Sequence, residues 1–240
     1  MPRIQLRQGE VHVWEGCLDY PAQLVARFAG LLSADEQERA ARFRFERDRS
    51  RYVVGRGQLR CLLARYLDLQ PTEVRFQYGA FDKPALVGSD VRFNLAHSGS
   101  VVLFGITRVG EIGIDVEIED AELADERLAE RFFSPAEVAV LRSVPHAERP
   151  RAFLRCWTRK EAFVKARGDG LQLALDTFDV SLDSGQPVAV LRTEWSRSEP
   201  MEWILSDLSD EAVGYIAALA IRTRATPVIR RQTLTPANSS

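Results

Sequence analysis

The pattern of apolar and polar residues divides the first half of the chain into helices followed by short strands. A weak alternation predicts a first strand over residues 10–14. Ser33 and Glu36 have the spacing of a capping box, which predicts a helix over 34–47. Apolar residues at helical spacing predict a second helix from about 48 to 67. Four short strands are then predicted at 74–78, 91–96, 100–107 and 111–118.

The second half of the chain begins with helical spacing and ends with strands. Gly168 follows the last helical run and suits a left-handed helix end. Residues 225–240 lack an apolar pattern, so we expect a mobile tail there. This mixture predicts an α+β fold. The predicted helices are 122–132, 134–143 and 149–167, and the predicted strands are 177–182, 187–193, 201–206 and 213–221.

Composition narrows the class of protein. The 240 residues are 45% hydrophobic, which is enough for one large domain or two small ones. The net charge of −2 gives no reason to expect a nucleic-acid or membrane partner. The first ten residues lack the apolar core of a signal peptide, and no run approaches the ~20 apolar residues that span a bilayer. We therefore expect a cytoplasmic protein.

Charged residues are unevenly distributed. Residues 39–60 are rich in arginine, whereas residues 111–130 are rich in aspartate and glutamate. A basic segment and an acidic one together suit a ligand that has phosphates and a bound metal. Two solvated helix faces would give the same composition.

Residues 111–120, EIGIDVEIED, alternate between acidic and aliphatic side chains. Because side chains alternate along a strand, Asp115 and Glu117 project from the same face. Paired carboxylates suit Mg²⁺, which usually takes one or two of them together with substrate phosphates. An edge strand with a solvated acidic face is the alternative.

Residues 156–171, CWTRKEAFVKARGDGL, place Trp157, Glu161 and Lys165 on one face of a predicted helix. The carboxylate could bind a metal and the ammonium a phosphate, although an ordinary surface ion pair has the same spacing. His97 lies at a predicted turn in RFNLAHSGS, where it could bind phosphate, shuttle a proton or simply support the turn. The sequence contains no GxSxG, GxGxxG or GxxxxGK[ST] motif.

The order of the motifs carries more information than any one of them. RF-x4-D-x2-R, FDKP, FNLAHSG, GIDVE and WTRKEAFVKARGDGL follow one another between about residues 35 and 182. This order resembles the 4'-phosphopantetheinyl transferase family, in its long, surfactin-synthetase-activating type. The resemblance implies a pseudo-dimer of two similar α+β halves, 1–110 and 111–224, with the active site in the cleft between them.

The resemblance also implies a reaction and its participants. The phosphopantetheine arm of coenzyme A would pass to a serine of an apo acyl or peptidyl carrier protein, with Mg²⁺, and adenosine 3',5'-bisphosphate would leave. A pseudo-dimer completes its own site, so we expect a monomer. The implied metal ligands are Asp115, Glu117 and Glu161. The implied catalytic residues are Asp115, Glu161 and Lys165. The implied coenzyme A contacts are Arg39, Arg51, Lys83, Pro84, His97, Asp115 and Lys165.

Several points stay open at this level. Ala96 stands where many family members have serine, which removes one hydroxyl contact beside His97. Either Glu161 or a water that it orients at the metal could take the serine proton. The segment 123–144 could dock the carrier, or its apolar residues Phe132, Phe133, Val138 and Leu141 could be core. Other functions with these features are a non-catalytic coenzyme A-binding protein, a metal-dependent nucleotide phosphoesterase and an interaction module.

Overall fold

The computed structural model describes residues 3–79, 81, 83–120, 126–183 and 185–235. These residues form six α-helices: α1 (Ala22–Ala29), α2 (Ala34–Ala41), α3 (Glu46–Leu67), α4 (Glu126–Phe132), α5 (Pro135–Ser143) and α6 (Arg149–Arg167). They also form eleven strands: β1 (Glu10–Cys17), β2 (Phe76–Tyr78), β3 (Pro84–Leu86), β4 (Arg92–Ser98), β5 (Val101–Thr107), β6 (Ile112–Ile118), β7 (Phe178–Val180), β8 (Val190–Thr193), β9 (Trp203–Asp207), β10 (Tyr215–Arg222) and β11 (Val228–Thr233). None of the described helices is both long and apolar enough to cross a bilayer.

The strands form two main sheets. One has the order β11-β1-β5-β4, and the other has the order β6-β10-β9. Their pairings are antiparallel except that between β1 and β11, which is parallel. The hairpins β2-β3 and β7-β8 form two further small sheets. Helices beside mainly antiparallel sheets confirm the α+β prediction.

A buried ion cluster joins α2 to α3 in the first half. The capping box of Ser33 and Glu36 is formed at the start of α2. The Glu36 carboxylate is also paired with Arg56 and Arg60 of α3, and Arg60 Nε lies 2.6 Å from Glu36 Oε2. Arg60 donates further hydrogen bonds to the carbonyls of Pro71 and Val74. These contacts attach both α2 and the loop after α3 to α3.

Helix α6 packs directly on β6 and β10 in the second half. Gly113 of β6 makes this contact possible, because a Cβ there would overlap Ala162 O and Ala166 N of the helix. The helix ends at Gly168, which has φ +82° and confirms the predicted left-handed end. The absence of a side chain at one strand position therefore sets the distance between β6 and α6.

The two main sheets meet where β4 lies beside β6. Two side chains of β4 accept hydrogen bonds from the backbone of β6: Asn94 Oδ1 from Ile114 N at 2.9 Å and Ser98 Oγ from Ile118 N at 3.1 Å. An apolar cluster closes the contact between the sheets. It includes Val11, Val13, Leu103, Ile112, Leu219 and Ile221.

Several segments differ from the sequence predictions. Strand β3 was not predicted, and the helix predicted over 34–47 ends at Ala41. The expected mobile tail over 225–240 is wrong for Val228–Thr233, which pairs with β1 as β11. Leu234 continues this attachment, because it is buried and its N–H donates to Glu15 O. Residues 236–240 lie outside the described part. The apolar pattern also did not predict α1, a helix of eight residues.

Gly113→Ala tests the close packing of α6 on β6. The added methyl group must displace the helix backbone, so we expect the free energy of unfolding to fall by about 2–3 kcal/mol in urea titrations. Gly30→Ala is the matched control, since its Cβ would meet no atom closer than 3.4 Å. We expect it to stay within about 0.5 kcal/mol of the parent. Equal effects of the two substitutions would contradict this account.

Candidate active site

The centre of the site is a contact between β6 and α6. Lys165 Nζ donates a hydrogen bond of 2.5 Å to Asp115 Oδ1. Glu161 lies one helical turn before Lys165, as the sequence spacing predicted. The other oxygen, Asp115 Oδ2, is buried, and no described group donates a hydrogen bond to it. The site therefore contains a buried carboxylate with one free acceptor.

Burial and neighbouring charge perturb these carboxyl groups. Burial raises the pKa of Asp115 to about 7; Lys165 opposes the rise, whereas Glu117 and Glu161 add to it. Burial also raises the pKa of Glu161, against Lys165 and with the help of Glu117. The three carboxylates thus repel one another, and Lys165 opposes this repulsion. Such a cluster favours binding of a further cation.

The oxygen donors around Asp115 decide whether this site suits Mg²⁺. As the side chains stand, no three of the described histidine, cysteine, aspartate and glutamate residues are close enough to enclose an ion. Lys165 occupies one oxygen of Asp115, and Ser98 Oγ donates to Glu117 Oε2 at 2.7 Å. The free oxygen Asp115 Oδ2 and the unbalanced negative charge nevertheless suit a hard cation that prefers oxygen ligands. The residues therefore fit Mg²⁺ in chemical type, although they do not enclose an ion as they stand.

His97 of β4 interacts electrostatically with Lys165, with Glu117 and with Arg51 of α3. Part of its ring is exposed, yet loss of surrounding water lowers its pKa, and the charges of Lys165 and Arg51 lower it further. Arg51 itself donates from Nε and Nη2 to both oxygens of Asp19, at 2.7 and 2.9 Å. The structure thus brings His97 into electrostatic reach of both Lys165 and Arg51.

A cavity of about 640 Å³ opens beside Glu161 and Lys165, and Lys83 and Pro84 also line it. Lys83 Nζ, however, is already bonded to Ala166 O at 3.0 Å and Ile112 O at 3.3 Å, besides pairing with a carboxylate. Much of the remaining lining is apolar. It includes Phe81, Leu95, Phe132, Trp157, Val164, Leu173 and Leu175. We call this the cleft cavity.

Arg39 lies apart from this group. It lines a second cavity of about 580 Å³, with Arg42, Tyr52 and Tyr78 among the other lining residues. A third cavity, of about 380 Å³, shares Tyr78 with the second cavity. With the cleft cavity it shares Phe81, Lys83, Pro84 and Gly168. The cavities therefore follow one another along the β2-β3 hairpin.

Comparison with known proteins gives consistent matches along most of the chain. Residues 21–107 match the family described as 4'-phosphopantetheinyl transferase, N-terminal, and residues 111–220 match the 4'-phosphopantetheinyl transferase superfamily. The 4'-phosphopantetheinyl transferase HetI of a Nostoc species is 40% identical over 204 residues, which cover 82% of this chain and 85% of that protein. The chain belongs to the 4'-phosphopantetheinyl transferase superfamily.

Two further proteins are similar to this chain, one a relative in sequence and the other a solved structure. The 4'-phosphopantetheinyl transferase Sfp of Bacillus subtilis is 32% identical over 165 residues, which cover 68% of this chain and 72% of that protein. The holo-[acyl-carrier-protein] synthase of Thermotoga maritima has a TM-score of 0.36 and 23% identity, over 49% of this chain and 65% of that one. The predicted resemblance to the long, Sfp-like type is confirmed, and the enzyme class is that of a phosphopantetheinyl transferase.

Sequence reasoning missed several residues of this transferase that support the site. Ser98, Asn94 and Asp19 contact predicted site residues or the strand that carries them. Two of them, Asn94 and Ser98, lie inside the FNLAHSG motif. Their position in this motif was the signal in the sequence that could have identified them. In the segment 123–144, Phe133 and Leu141 are core residues, whereas Phe132 lines the cleft cavity. Residues 123–125 of that segment lie outside the described part.

Binding of Mg²⁺ to this transferase should depend on pH through Asp115. Since the pKa of Asp115 is raised to about 7, a proton competes with the ion below that value and is lost above it. We therefore expect saturating Mg²⁺ to raise the melting temperature more at about pH 8 than at about pH 6. Asp115→Asn should abolish most of the rise at both pH values. If Mg²⁺ raised the melting temperature of the parent protein equally at both pH values, a role of Asp115 as a ligand of the ion would be contradicted.

Proposed function

We propose that the chain transfers the phosphopantetheine arm of coenzyme A to a serine of an apo acyl or peptidyl carrier protein. The transfer uses Mg²⁺ and releases adenosine 3',5'-bisphosphate. The observation that carries this proposal is the Asp115–Lys165 contact, with Glu161 one turn away, at the wall of the cleft cavity. A carboxylate cluster and a partly exposed ammonium beside a cavity suit a pyrophosphate with its metal.

The acidic residues are proposed to hold the ion. Asp115, Glu117 and Glu161 are its proposed ligands, and the bound ion supplies neutralisation of charge on the pyrophosphate oxygens. Lys165 balances Asp115 in the free protein, and its side chain is about one-third exposed. Lys165 would be available to contact the pyrophosphate, because a bound cation would supply the counter-charge of Asp115 in its place.

Glu161 is the proposed acceptor of the serine proton, directly or through a water that it orients. A carboxylate with an ordinary pKa is a weak base at neutral pH. Burial raises the pKa of Glu161 and so strengthens it as a base. Its place on the cavity wall suits contact with an incoming hydroxyl.

We propose that the nucleotide end of coenzyme A lies in the cleft between two similar halves, 1–110 and 111–224. His97 and Arg51 would contact the 3'-phosphate, and Lys83 and Pro84 would border the adenine. Arg51 can keep its bond to Asp19 at the same time, since only Nε and Nη2 are used and the guanidinium has further N–H groups. Arg39 would reach a ligand only from the adjoining second cavity. A monomeric state and a cytoplasmic location stay predictions.

The transfer itself can be tested by intact-protein mass spectrometry of an apo carrier domain. The carrier is incubated with coenzyme A, Mg²⁺ and the protein, and we expect a gain of one phosphopantetheine. EDTA should prevent the gain. Glu161→Ala should slow it by about 100-fold or more, because a metal ligand and a proton acceptor are lost together.

The other outcomes separate the remaining functions. Near-parental activity of Glu161→Ala would refute its role. Coenzyme A binding without transfer to any of several carriers would indicate a non-catalytic binding protein. Release of adenine nucleotide without a carrier would instead indicate a phosphoesterase.

The proposed 3'-phosphate contacts can be tested with coenzyme A and dephospho-coenzyme A as paired substrates. His97→Ala and Arg51→Ala should each raise KM for coenzyme A about tenfold, since a hydrogen bond to a charged group is lost. KM for dephospho-coenzyme A should hardly change. Arg49→Ala is the matched control, because Arg49 pairs with Glu46 on the surface. Arg39→Ala shows whether the second cavity takes part. Equal losses with both substrates would overturn the 3'-phosphate assignment.

A further inference from the structure

Ser98, the last residue of β4, makes two hydrogen bonds that join β4 to β6. Its Oγ accepts a hydrogen bond from the Ile118 N–H at 3.1 Å and donates one to Glu117 Oε2 at 2.7 Å. A serine hydroxyl has one proton and so can donate only once. The single proton of Ser98 is therefore directed at the Glu117 carboxylate.

The backbone around Ser98 fixes the position of this hydroxyl. Ser98 ends β4 at a two-residue turn, in which Gly99 has φ +56°. A Cβ at Gly99 would lie 3.3 Å from Ile118 Cγ1, so the turn packs closely on the end of β6. Ser100 O accepts the Leu18 N–H at 2.7 Å, which attaches the turn to the chain after β1. The hydroxyl is thus held on a turn that is anchored on both sides.

Glu117 interacts electrostatically with three other groups of the site. It lies on the same face of β6 as Asp115, two residues away. Its charge raises the pKa of Asp115 and that of Glu161, and it opposes the lowering of the pKa of His97. A half-buried glutamate has several rotamers available, and the bond from Ser98 selects one of them. The direction of the Glu117 side chain therefore affects the whole cluster.

The contact between the two sheets does not by itself require a hydroxyl at this position. Asn94, on the same face of β4, accepts the Ile114 N–H at 2.9 Å through its amide oxygen. This bond satisfies a backbone N–H of β6 as the acceptor bond of Ser98 does. Ser98 differs because it also donates to a carboxylate of the site. This second bond is the observation that points beyond a structural role.

We propose that Ser98 is a positioning residue that holds the Glu117 carboxylate in the orientation in which it binds Mg²⁺. The inference rests on the proposed function, since Glu117 is one of the proposed ligands of the ion. The bond uses one acceptor position of a carboxylate that has several, so positions remain for the ion. Hydrogen bonds of this kind orient ligating carboxylates, and their loss lowers metal affinity by about 10- to 100-fold.

Replacement of Ser98 tests the proposal through metal affinity rather than through transfer. Mn²⁺ serves as the probe, because it prefers the same oxygen ligands and its free form is measured by electron paramagnetic resonance. The protein is titrated with Mn²⁺ both alone and with coenzyme A. Ser98→Ala should raise the Kd for Mn²⁺ about tenfold. Ser98→Thr keeps the hydroxyl and suits a strand, so its Kd should stay within about threefold of the parental value.

Ser100→Ala is the matched control in the same turn. Ser100 contacts Leu18 through its backbone carbonyl, and its hydroxyl has no hydrogen-bond partner within the described part of the chain. We expect parental Mn²⁺ affinity from this variant. If Ser98→Ala does not fold, Ser98→Cys takes its place, because a thiol is a weak donor and should raise the Kd in the same direction.

A double-mutant cycle separates the positioning of Glu117 from support of the contact between the sheets. Glu117→Gln removes the charge of the proposed ligand, so Ser98→Ala in that background should change the Kd for Mn²⁺ less than about twofold. An effect of about tenfold in both backgrounds would overturn the proposal, because Ser98 would then act without Glu117. A parental Kd together with a lowered melting temperature in Ser98→Ala would also overturn it and leave the bond a purely structural one.

Failure of the proposed function gives different results. A parent protein that binds no Mn²⁺ in either titration refutes the proposed metal site, and the role of Ser98 with it. A parent protein that binds Mn²⁺ but modifies no carrier refutes only the proposed transfer, and the cycle then still decides the role of Ser98.

Discussion

The close approach of α6 to β6 is the constraint on which the site depends. Gly113 allows the helix backbone to lie where a side chain would otherwise stand. The approach brings Lys165 to Asp115 and buries that carboxylate. Burial then raises the pKa of Asp115, and Glu161 and Glu117 raise it further. The preference of the site for a cation therefore follows from the packing of α6 on β6.

The junction of the two sheets adds the second half of the site. Asn94 and Ser98 use side chains to satisfy backbone N–H groups of β6 that have no strand partner on that side. Ser98 does more, because its hydroxyl also donates to Glu117. His97 lies between Asn94 and Ser98 in the sequence of β4. The junction therefore also sets His97 within electrostatic reach of Glu117 and Lys165. One set of hydrogen bonds thus joins the sheets and arranges the charges.

Local periodicity predicted the parts of the site that lie on single elements. The alternation along β6 gave the faces of Asp115 and Glu117, and helical spacing gave the shared face of Glu161 and Lys165. Periodicity has no information on partners distant in the sequence. It therefore missed the bonds of Lys83 to Ala166 O and of Arg51 to Asp19, although the residues themselves were identified. Strand β11 was missed for the same reason, since its exposed residues are ordered by pairing with β1 rather than by a buried face of their own.

Buried cations organise the irregular segments of this protein. Arg60 holds the carbonyls of Pro71 and Val74, and Arg159 holds that of Ser181. Lys160 does the same for the carbonyls of Leu175, which lines the cleft cavity, and Phe178. Carbonyls in loops have no ladder or helix to satisfy them, so a buried donor with several N–H groups can fix a loop where regular structure cannot. Adjacent charged residues in one motif can consequently have opposite tasks: Lys160 fixes the interior and Glu161 faces the cavity. The spacing of a charged motif alone does not distinguish a residue that acts on a ligand from one that holds the wall around it.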